Sequence, residues 1–404
     1  MYKIFRPRRT IYFLKQSQRL PRAARIEYLR DHLGFIRRDP GIQAAIDSGI
    51  AWLCLAQDQS ASSDGGVANF YNLLTGWGPS YPETTGYIIP TMLAYSKFTS
   101  NQTVRACAKR MLDWLVSIQF PNGSFQGGHI GAKPVQPTVF NTGQILLGLT
   151  SGVREFGDEY YNAMCNAADW LVEVQDPDGC WRQYESPFVV AGEKTYHTHV
   201  SWGLLEAARL THREEYVQAA LANIQWALTQ QTTNGWFRQC CLDDPERCLT
   251  HTLGYALGGI LEAYAFTCNA EFLNAGRKTA DGCLRAMQKD GFLPGRLLSS
   301  WQGAVDWACL TGTVQIALCW LLLYQFTNEE CYRDAAFIAN RFVRRCITLS
   351  GIPGQIGGVK GSFPVDGGYG AFSYLSWACK FSIDSNMLEQ QIREQPNSTT
   401  GRSG

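Results

Sequence analysis

A chain of 404 residues with 45% hydrophobic and 12% aromatic content carries enough apolar surface for a large core, which excludes a disordered or fibrous polypeptide. A formal net charge of +1 and the lack of a phosphate loop or dinucleotide fingerprint argue against nucleic-acid and nucleotide binding. No run approaches the ~18 apolar residues of a membrane span, and "IYFLKQSQRL" is too short and too polar for a secretory signal, so a cytoplasmic protein is expected.

The chain begins with a charge asymmetry. Its first 38 residues hold eleven Lys and Arg against Glu27 and Asp31, which leaves about −8 on the remainder (+1 minus +9). Residues 1–42 therefore read as a basic arm. It would either dock on an acidic partner such as a glycosyltransferase, or on the anionic inner membrane face, or pack on the body as a leader. The fourteen cysteines, among them Cys54, Cys107, Cys165 and Cys319 at helical positions, read as buried thiols, because no CxxC pair suggests a ribbon or a redox motif.

From Trp52 onward one unit recurs. "WLCLAQ" at Trp52, "WLVSIQFPNGSF" at Trp114, "WLVEVQDPDGCW" at Trp170, "WALTQQTTNGWF" at Trp226 and "CLRAMQKDGFLPG" at Cys283 are followed by a weaker sixth copy at Phe342. The starts lie 62, 56, 56, 57 and 59 residues apart, and the first five carry a Gln five positions on: Gln57, Gln119, Gln175, Gln231 and Gln288. Each copy predicts a first helix with apolar residues at i, i+3 and i+4, a Gly turn, a long loop, and a second helix. The second helices, such as "NTGQILLGLTSG", "HVSWGLLEAARL" and "TLGYALGGILEAY", are less charged and richer in Gly and Ala. Small residues let helices approach closely, so the second helices are placed inside and the first outside. Six such pairs over residues 43–388 predict an all-α (α/α)6 toroid, with 389–404 as a disordered polar tail; an open solenoid is the alternative. Parallel inner helices would gather the long loops, and six positive dipole ends, at one mouth.

The repeat region, about 85% of the chain, resembles the six-hairpin toroids of glycoside hydrolases, polysaccharide lyases, uronyl C5-epimerases and squalene-cyclase-like proteins. "DGGVANFYNLLTGWGPSYPETTGYIIP", "CLTGTVQIALCWLLLY" and "WACKFSIDSNMLE" look like segments of toroid proteins of bacterial surface polysaccharide biosynthesis. "QDPDGCW" is similar to the QW repeat of triterpene cyclases, although their acidic DxDD cluster is absent and the chain is too short for their two domains. "TYHTHVSWGLLE" resembles the histidine-bearing helix start of protein prenyltransferase β subunits, whose zinc is held by Asp, Cys and His. Here Asp306 and Cys309 lie on a later unit than His197 and His199, so no metal or other cofactor is assigned.

The mouth supplies the candidates. Glu83 follows Pro82 in the first inner helix, where an acid favours the helix dipole with or without a catalytic duty; Tyr81 and Tyr87 flank it, and Asp64 opens the same loop. His129 lies in "FQGGHIG", Asn141 starts the second inner helix, and His197, His199, Tyr196 and Trp202 surround the third. His251 starts the fourth, and Asp306, with Arg296 and Trp301 in its loop, precedes the fifth; Asp366, before the sixth, reads as an N-cap. Trp181, Trp236 and Trp301 follow the Gly turns and would either stack on sugar rings or plug loops onto the ring. A glycosidase needs two carboxylates, for which Glu83 and Asp306 are the pair. A uronate lyase or C5-epimerase needs a base beside a neutralised carboxylate, which Tyr87, His197, His199, His251, Asn141 and Arg296 fit. The expectation is thus a carbohydrate-active protein of polysaccharide biosynthesis or modification that abstracts a proton from a uronic-acid-containing glycan. A glycoside hydrolase and a non-catalytic glycan- or glycosyltransferase-binding scaffold are the alternatives, and an isoprenoid enzyme ranks last.

Overall fold

A computed structural model of the chain describes residues 13–34 and 37–394. Residues 13–17 are helical and precede α1 (Arg22–Leu33), after which twelve α-helices alternate between two rings. The outer ring comprises α2 (Ile42–Asp58), α4 (Gln102–Ile118), α6 (Tyr161–Glu173), α8 (Glu214–Thr229), α10 (Ala270–Ala286) and α12 (Glu330–Arg344). The inner ring comprises α3 (Pro82–Thr99), α5 (Val139–Phe156), α7 (Thr198–Thr211), α9 (Thr250–Thr267), α11 (Leu310–Thr327) and α13 (Ser376–Glu394). Each inner helix packs on the next, and α13 returns to α3, so the ring closes.

Local chemistry accounts for the two rings. In α4, Val104, Cys107, Ala108, Met111, Leu112 and Leu115 fall on one buried stripe, and the Asn101 side chain caps the helix by accepting from the Val104 amide at 3.1 Å. The inner helix α11 is buried on nearly all sides. It is also long and apolar enough to cross a membrane, which the sequence reading had not allowed for, but 67% of it is buried inside the ring. A Cβ on Gly86 of α3 would lie 2.5 Å from Ile145 Cα of α5, and one on Gly148 would strike the Gly86 carbonyl, so these glycines let the two backbones touch.

The repeated glutamine joins one unit to the next. Gln119 Nε2 donates to Gly123 O of its own turn (2.8 Å) and to Ala163 O of the next outer helix (2.9 Å), and Gln175 does the same to Gly179 O (3.0 Å) and Ala219 O (2.9 Å). Gln57 bridges Gly65 O and Cys107 O, and Gln231 bridges Ala275 O and Thr279 Oγ1. The turn glycine is pressed on that same neighbour: Gly179 has φ +89°, and a Cβ there would meet the Ala222 carbonyl carbon at 2.5 Å.

The sixth unit closes on the first by the same means. Trp52 Nε1 donates to Gly354 O at 2.8 Å, and Gly357 packs on the Ser48 carbonyl. Strand β1 (Phe70–Asn72) lies between β2 (Gly76–Trp77) and β7 (Ser373–Leu375), in register Phe70 to Leu375. Further short ladders, β3 (Cys248–Leu249) with β4 (Arg296–Leu297) and β5 (Ala308–Cys309) with β6 (Ser362–Phe363), join units four to six along the mouth.

The amino end takes one of the alternatives that the sequence offered, and the carboxy end differs from its reading. The described part of the arm is packed on the body: Lys360, fully buried, donates to Glu27 Oε1 (2.9 Å) and Asp31 Oδ2 (2.5 Å), and Arg37 also pairs with Glu27 (2.7 Å). His32 meets Asp366 at 2.8 Å, so Asp366 holds α1 instead of capping a helix. Lys3, Arg6, Arg8 and Arg9 lie outside the described residues. At the other end residues 389–394 complete α13 instead of starting a disordered tail, because Glu389 is buried and accepts from Asn340 and Arg344. Residues 395–404 lie outside the described residues.

Candidate functional site

The loops 59–81, 119–138, 174–197, 230–249, 287–309 and 345–375 all lead into inner-helix N-termini, so one mouth carries them all. Pro82 sets the first turn of α3 and places Glu83 inside the ring at 8% exposure. Burial pushes the Glu83 carboxyl up to about 7, and a hydrogen bond from Tyr81 opposes part of that rise. One helical turn on, Tyr87 is fully buried and accepts from the Tyr255 hydroxyl of α9 at 3.4 Å. Burial raises both phenols, and the Glu83 charge adds to the effect.

Two histidines meet this group from α7 and α9. His199 Nδ1 lies 2.6 Å from Gln144 Oε1 on α5, and His251 Nδ1 lies 2.6 Å from Gln315 Oε1 on α11. An amide oxygen there assigns the proton to Nδ1 and leaves Nε2 as the lone pair. Burial lowers His251 to about 4 against the pull of its Gln315 bond, and drives His199 well below its ordinary value with help from the Lys380 and His251 charges. Both rings are therefore neutral bases at pH 7. Tyr255 stands between them, with ring centroids 4.8 Å from His199 and 4.5 Å from His251, while Tyr369 lies 5.5 Å from His251. Phe381 and Phe140 complete the wall, and Lys380 Nζ, paired with Asp384 at 2.7 Å, sits over the Phe381 ring (4.1 Å) and faces that of Tyr87 (5.4 Å).

The structure thus brings Tyr81, Glu83, Tyr87, His199 and His251 together, with Trp202 edge-on to His199 at 5.0 Å. His197 turns away from His199, toward Glu185 and Phe140, and Tyr196 packs edge-on to the same Phe140 at 5.2 Å. Asn141 Nδ2 donates to Gln126 O (3.1 Å) beside them, and half-buried His129 faces Phe188 at 6.1 Å.

Six candidates lie elsewhere. Asp64 is exposed in an Asx turn, where it accepts from the Gly66 amide and the Ser80 hydroxyl. Trp181, Trp236 and Trp301 are buried plugs: the Trp181 indole donates to Leu171 O, that of Trp301 to Asn234 O, and Trp236 packs on Trp301. A Trp that follows the Gly turn is delivered to the outer helices, which is why none of the three offers a face to the mouth. Arg296 is held by Asp243 (2.7 Å) and Arg247 O (2.8 Å). Asp306 is exposed, so it forms no carboxylate pair with Glu83 inside the ring, and Cys309 Sγ caps α11 at the Gly312 amide. Among the described residues no three His, Cys, Asp or Glu are grouped to hold a metal ion, so the combination of Asp306, Cys309 and either histidine is dispersed.

Sequence reasoning missed Tyr255, Gln144, Gln315, Tyr369, Lys380 and Glu185. Tyr255 follows His251 by four residues, the spacing that puts two side chains on one helical face, and was readable on that ground. Gln144 and Gln315 are the polar interruptions in "NTGQILLG" and "LTGTVQIAL", and each is paired only with a histidine of the neighbouring inner helix.

Comparison with known proteins agrees with this architecture. The family model of the squalene-hopene cyclase C-terminal domain matches residues 38–245. Solved structures that superpose on the chain include an unsaturated glucuronyl hydrolase specific for heparin, at 15% identity and a TM-score of 0.71 over 88% of this chain and 98% of that one. Cellobiose 2-epimerase from Bacillus thermoamylovorans gives 13% identity and a TM-score of 0.69 over 87% and 98%, and a D-mannose isomerase gives 13% and 0.67 over 87% and 97%. At such identities the likeness establishes the fold. No curated protein sequence matches the chain. With a family model that spans half of its residues and a closed double ring of helices, the chain belongs to the squalene-hopene cyclase C-terminal domain family.

Proposed function

We propose that the pit is the active centre of a sugar-converting enzyme that abstracts a proton from carbon, as a C5-epimerase or lyase does, on a uronic-acid-containing glycan of polysaccharide biosynthesis or modification. The observation that carries this reading is the pair of neutral histidines, each oriented by a glutamine of a neighbouring inner helix, opposite buried Glu83, Tyr87 and Tyr255. The carbon-bound hydrogen next to a carboxylate is the acidic one. Nε2 of His251 or His199 would take it, and Glu83, half protonated near pH 7, or a phenol would return a proton to the carbon or to the leaving oxygen. Lys380, already inside the ring, takes the neutralising role first given to Arg296. The superposed structures bear the names of enzymes that act on sugars, which supports the substrate class. Such an enzyme would work in the cytoplasm, beside a glycosyltransferase or the inner membrane face, with Arg22 and Arg38 of the arm unpaired among the described residues.

A second reading is favoured by family membership and by the aromatic wall of Tyr87, Phe140, Tyr255, Tyr369 and Phe381: an isoprenoid substrate protonated by Glu83. One assay separates the readings. Purified protein is incubated with uronate oligosaccharides or with a polyprenyl substrate in deuterated water. Label at C5 or a new ultraviolet-absorbing double bond is expected, whereas reducing ends alone indicate hydrolysis and a labelled hydrocarbon indicates isoprenoid chemistry. Polymer unchanged in a host carrying Glu83→Gln and His199→Phe would point to a binding scaffold.

A further inference from the structure

Beside the pit lies a second set of polar groups that the proposed chemistry does not use. Thr138 Oγ1, Asn141 Oδ1, Glu185 Oε1 and both ring nitrogens of His197 are buried without a hydrogen-bond partner among the described residues. Native proteins keep few such atoms, because each costs its desolvation and gains nothing in return. Here they occur together. Thr138 and Asn141 open α5, Glu185 Oε1 lies 3.7 Å from His197 Nε2, and His197 stacks toward Phe140 at 6.0 Å. Burial and the Lys194 charge lower His197 to about 3, so its contact with Glu185 is not an ion pair at neutral pH.

The surrounding loops hold these groups in place. The Val139 amide donates to Tyr184 O (3.0 Å), and Gln136 Nε2 donates to Glu185 O (3.0 Å). Gly127 is so close to Thr138 Oγ1 and Pro187 that a Cβ would clash, which brings the second and third loops together above Thr138. Phe188 and Val190 of the third loop stay 59% and 61% exposed over this edge. Phe140 separates the set from the pit: its ring meets Tyr196 and His197 on one side and Tyr255, at 5.0 Å, on the other.

We propose that this set is a second subsite, which takes the vicinal hydroxyls of a neutral pyranose ring linked to the sugar unit that reacts in the pit. The donor and acceptor inventory selects that ligand. Asn141 Nδ2 is committed to Gln126 O, so Oδ1 is the free atom and it only accepts. Glu185 Oε1 accepts when ionised, while neutral His197 offers one donor and one acceptor and Thr138 offers both. An ionised carboxylate, which lacks hydrogen to give, leaves Asn141 unmet, and a hydrocarbon leaves the whole set unmet. Adjacent hydroxyls give and accept at once.

This inference rests on the sugar reading of the pit, and it is tested by binding and stability instead of turnover. Cellobiose is titrated calorimetrically into wild type and into Asn141→Leu, His197→Phe and Thr138→Val, with farnesol as the apolar probe, and the ligand-free melting temperature of each protein is recorded. Each substitution should weaken cellobiose at least ~10-fold, and His197→Phe and Thr138→Val, which replace buried unpaired groups by apolar ones of similar shape, should raise the melting point by roughly 2 °C. Melting points that fall while cellobiose affinity holds would assign the groups to the fold and overturn the subsite, as would farnesol binding where cellobiose does not. Cellobiose binding without deuterium exchange supports the subsite while removing the reading of the pit. Exchange into a uronate without cellobiose binding does the reverse.

Discussion

Glu83 stands in a first helical turn, where an ionised carboxylate favours the dipole, yet burial lifts it to about 7, so both of its forms are populated near neutral pH. Between pH 4.5 and 7 the folded chain holds a proton that the unfolded chain has released, so this group lowers stability as pH rises through that window. His251 runs the other way: lowered to about 4, it costs stability as pH falls from 6.5 toward 4, and above 6.5 the Glu83 effect outlasts it. The urea-unfolding stability of wild type relative to Glu83→Gln should therefore fall by about 2 kcal/mol between pH 5.5 and 8; a pH-independent difference would contradict the buried, uncompensated carboxyl. Gln315→Leu should lower kcat ~10- to 100-fold with little change in KM. The ascending limb of its pH profile should move to lower pH, because the Gln315 bond raises His251 and its loss removes that support. An unmoved limb would show that Gln315 only packs. Glu83, Tyr81 and the histidines were legible because mouth position follows from the repeat. Gln144 and Gln315 were not, since an amide inside an apolar run shows no partner until the ring has folded.

At the scale of the helix, the unit is defined by what its turn does to the neighbour. Gln175→Ala removes two hydrogen bonds that join successive units, while Gly179 O keeps the Asn223 amide, and should cost about 1–3 kcal/mol. Gly179→Ala should cost more, since positive φ and a clash with the Ala222 backbone act together. Urea midpoints check both, and costs below 1 kcal/mol would contradict the stitching. The Gln and Gly of this joint were readable as a repeat before their purpose was known. A second joint went unread: Tyr160 donates to Asp113, Tyr216 to Asp169 and Tyr332 to Asp281. Its partners are 47, 47 and 51 residues apart, so it spans units and falls outside any single copy. Of the two roles open to the tryptophans, the plug is the one found, because a side chain just past the Gly turn faces the outer helices before the loop turns inward.

Across the whole molecule, closure does two things at once. It removes the free ends of a six-unit array through Trp52, Gly357 and the ladder of β1 with β7, and it carries Glu83, His199 and His251 from the first, third and fourth units to one pit. A closed ring should unfold in one step by circular dichroism and by tryptophan fluorescence, whereas an open array frays from its ends. Lys360→Met leaves Glu27 and Asp31 short of a buried cation and should cost about 3–5 kcal/mol. If instead the substitution is neutral, α1 is not held to the ring by this pair of contacts. The convergence of remote units on one proton transfer is tested most directly by deuterium at C5 of a uronate oligosaccharide turned over in heavy water. Wild type should acquire the label, with His251→Phe at least ~100-fold slower and equally well folded. Label that enters at the same rate in both proteins, or none in wild type while the oligosaccharide is consumed, would contradict the account.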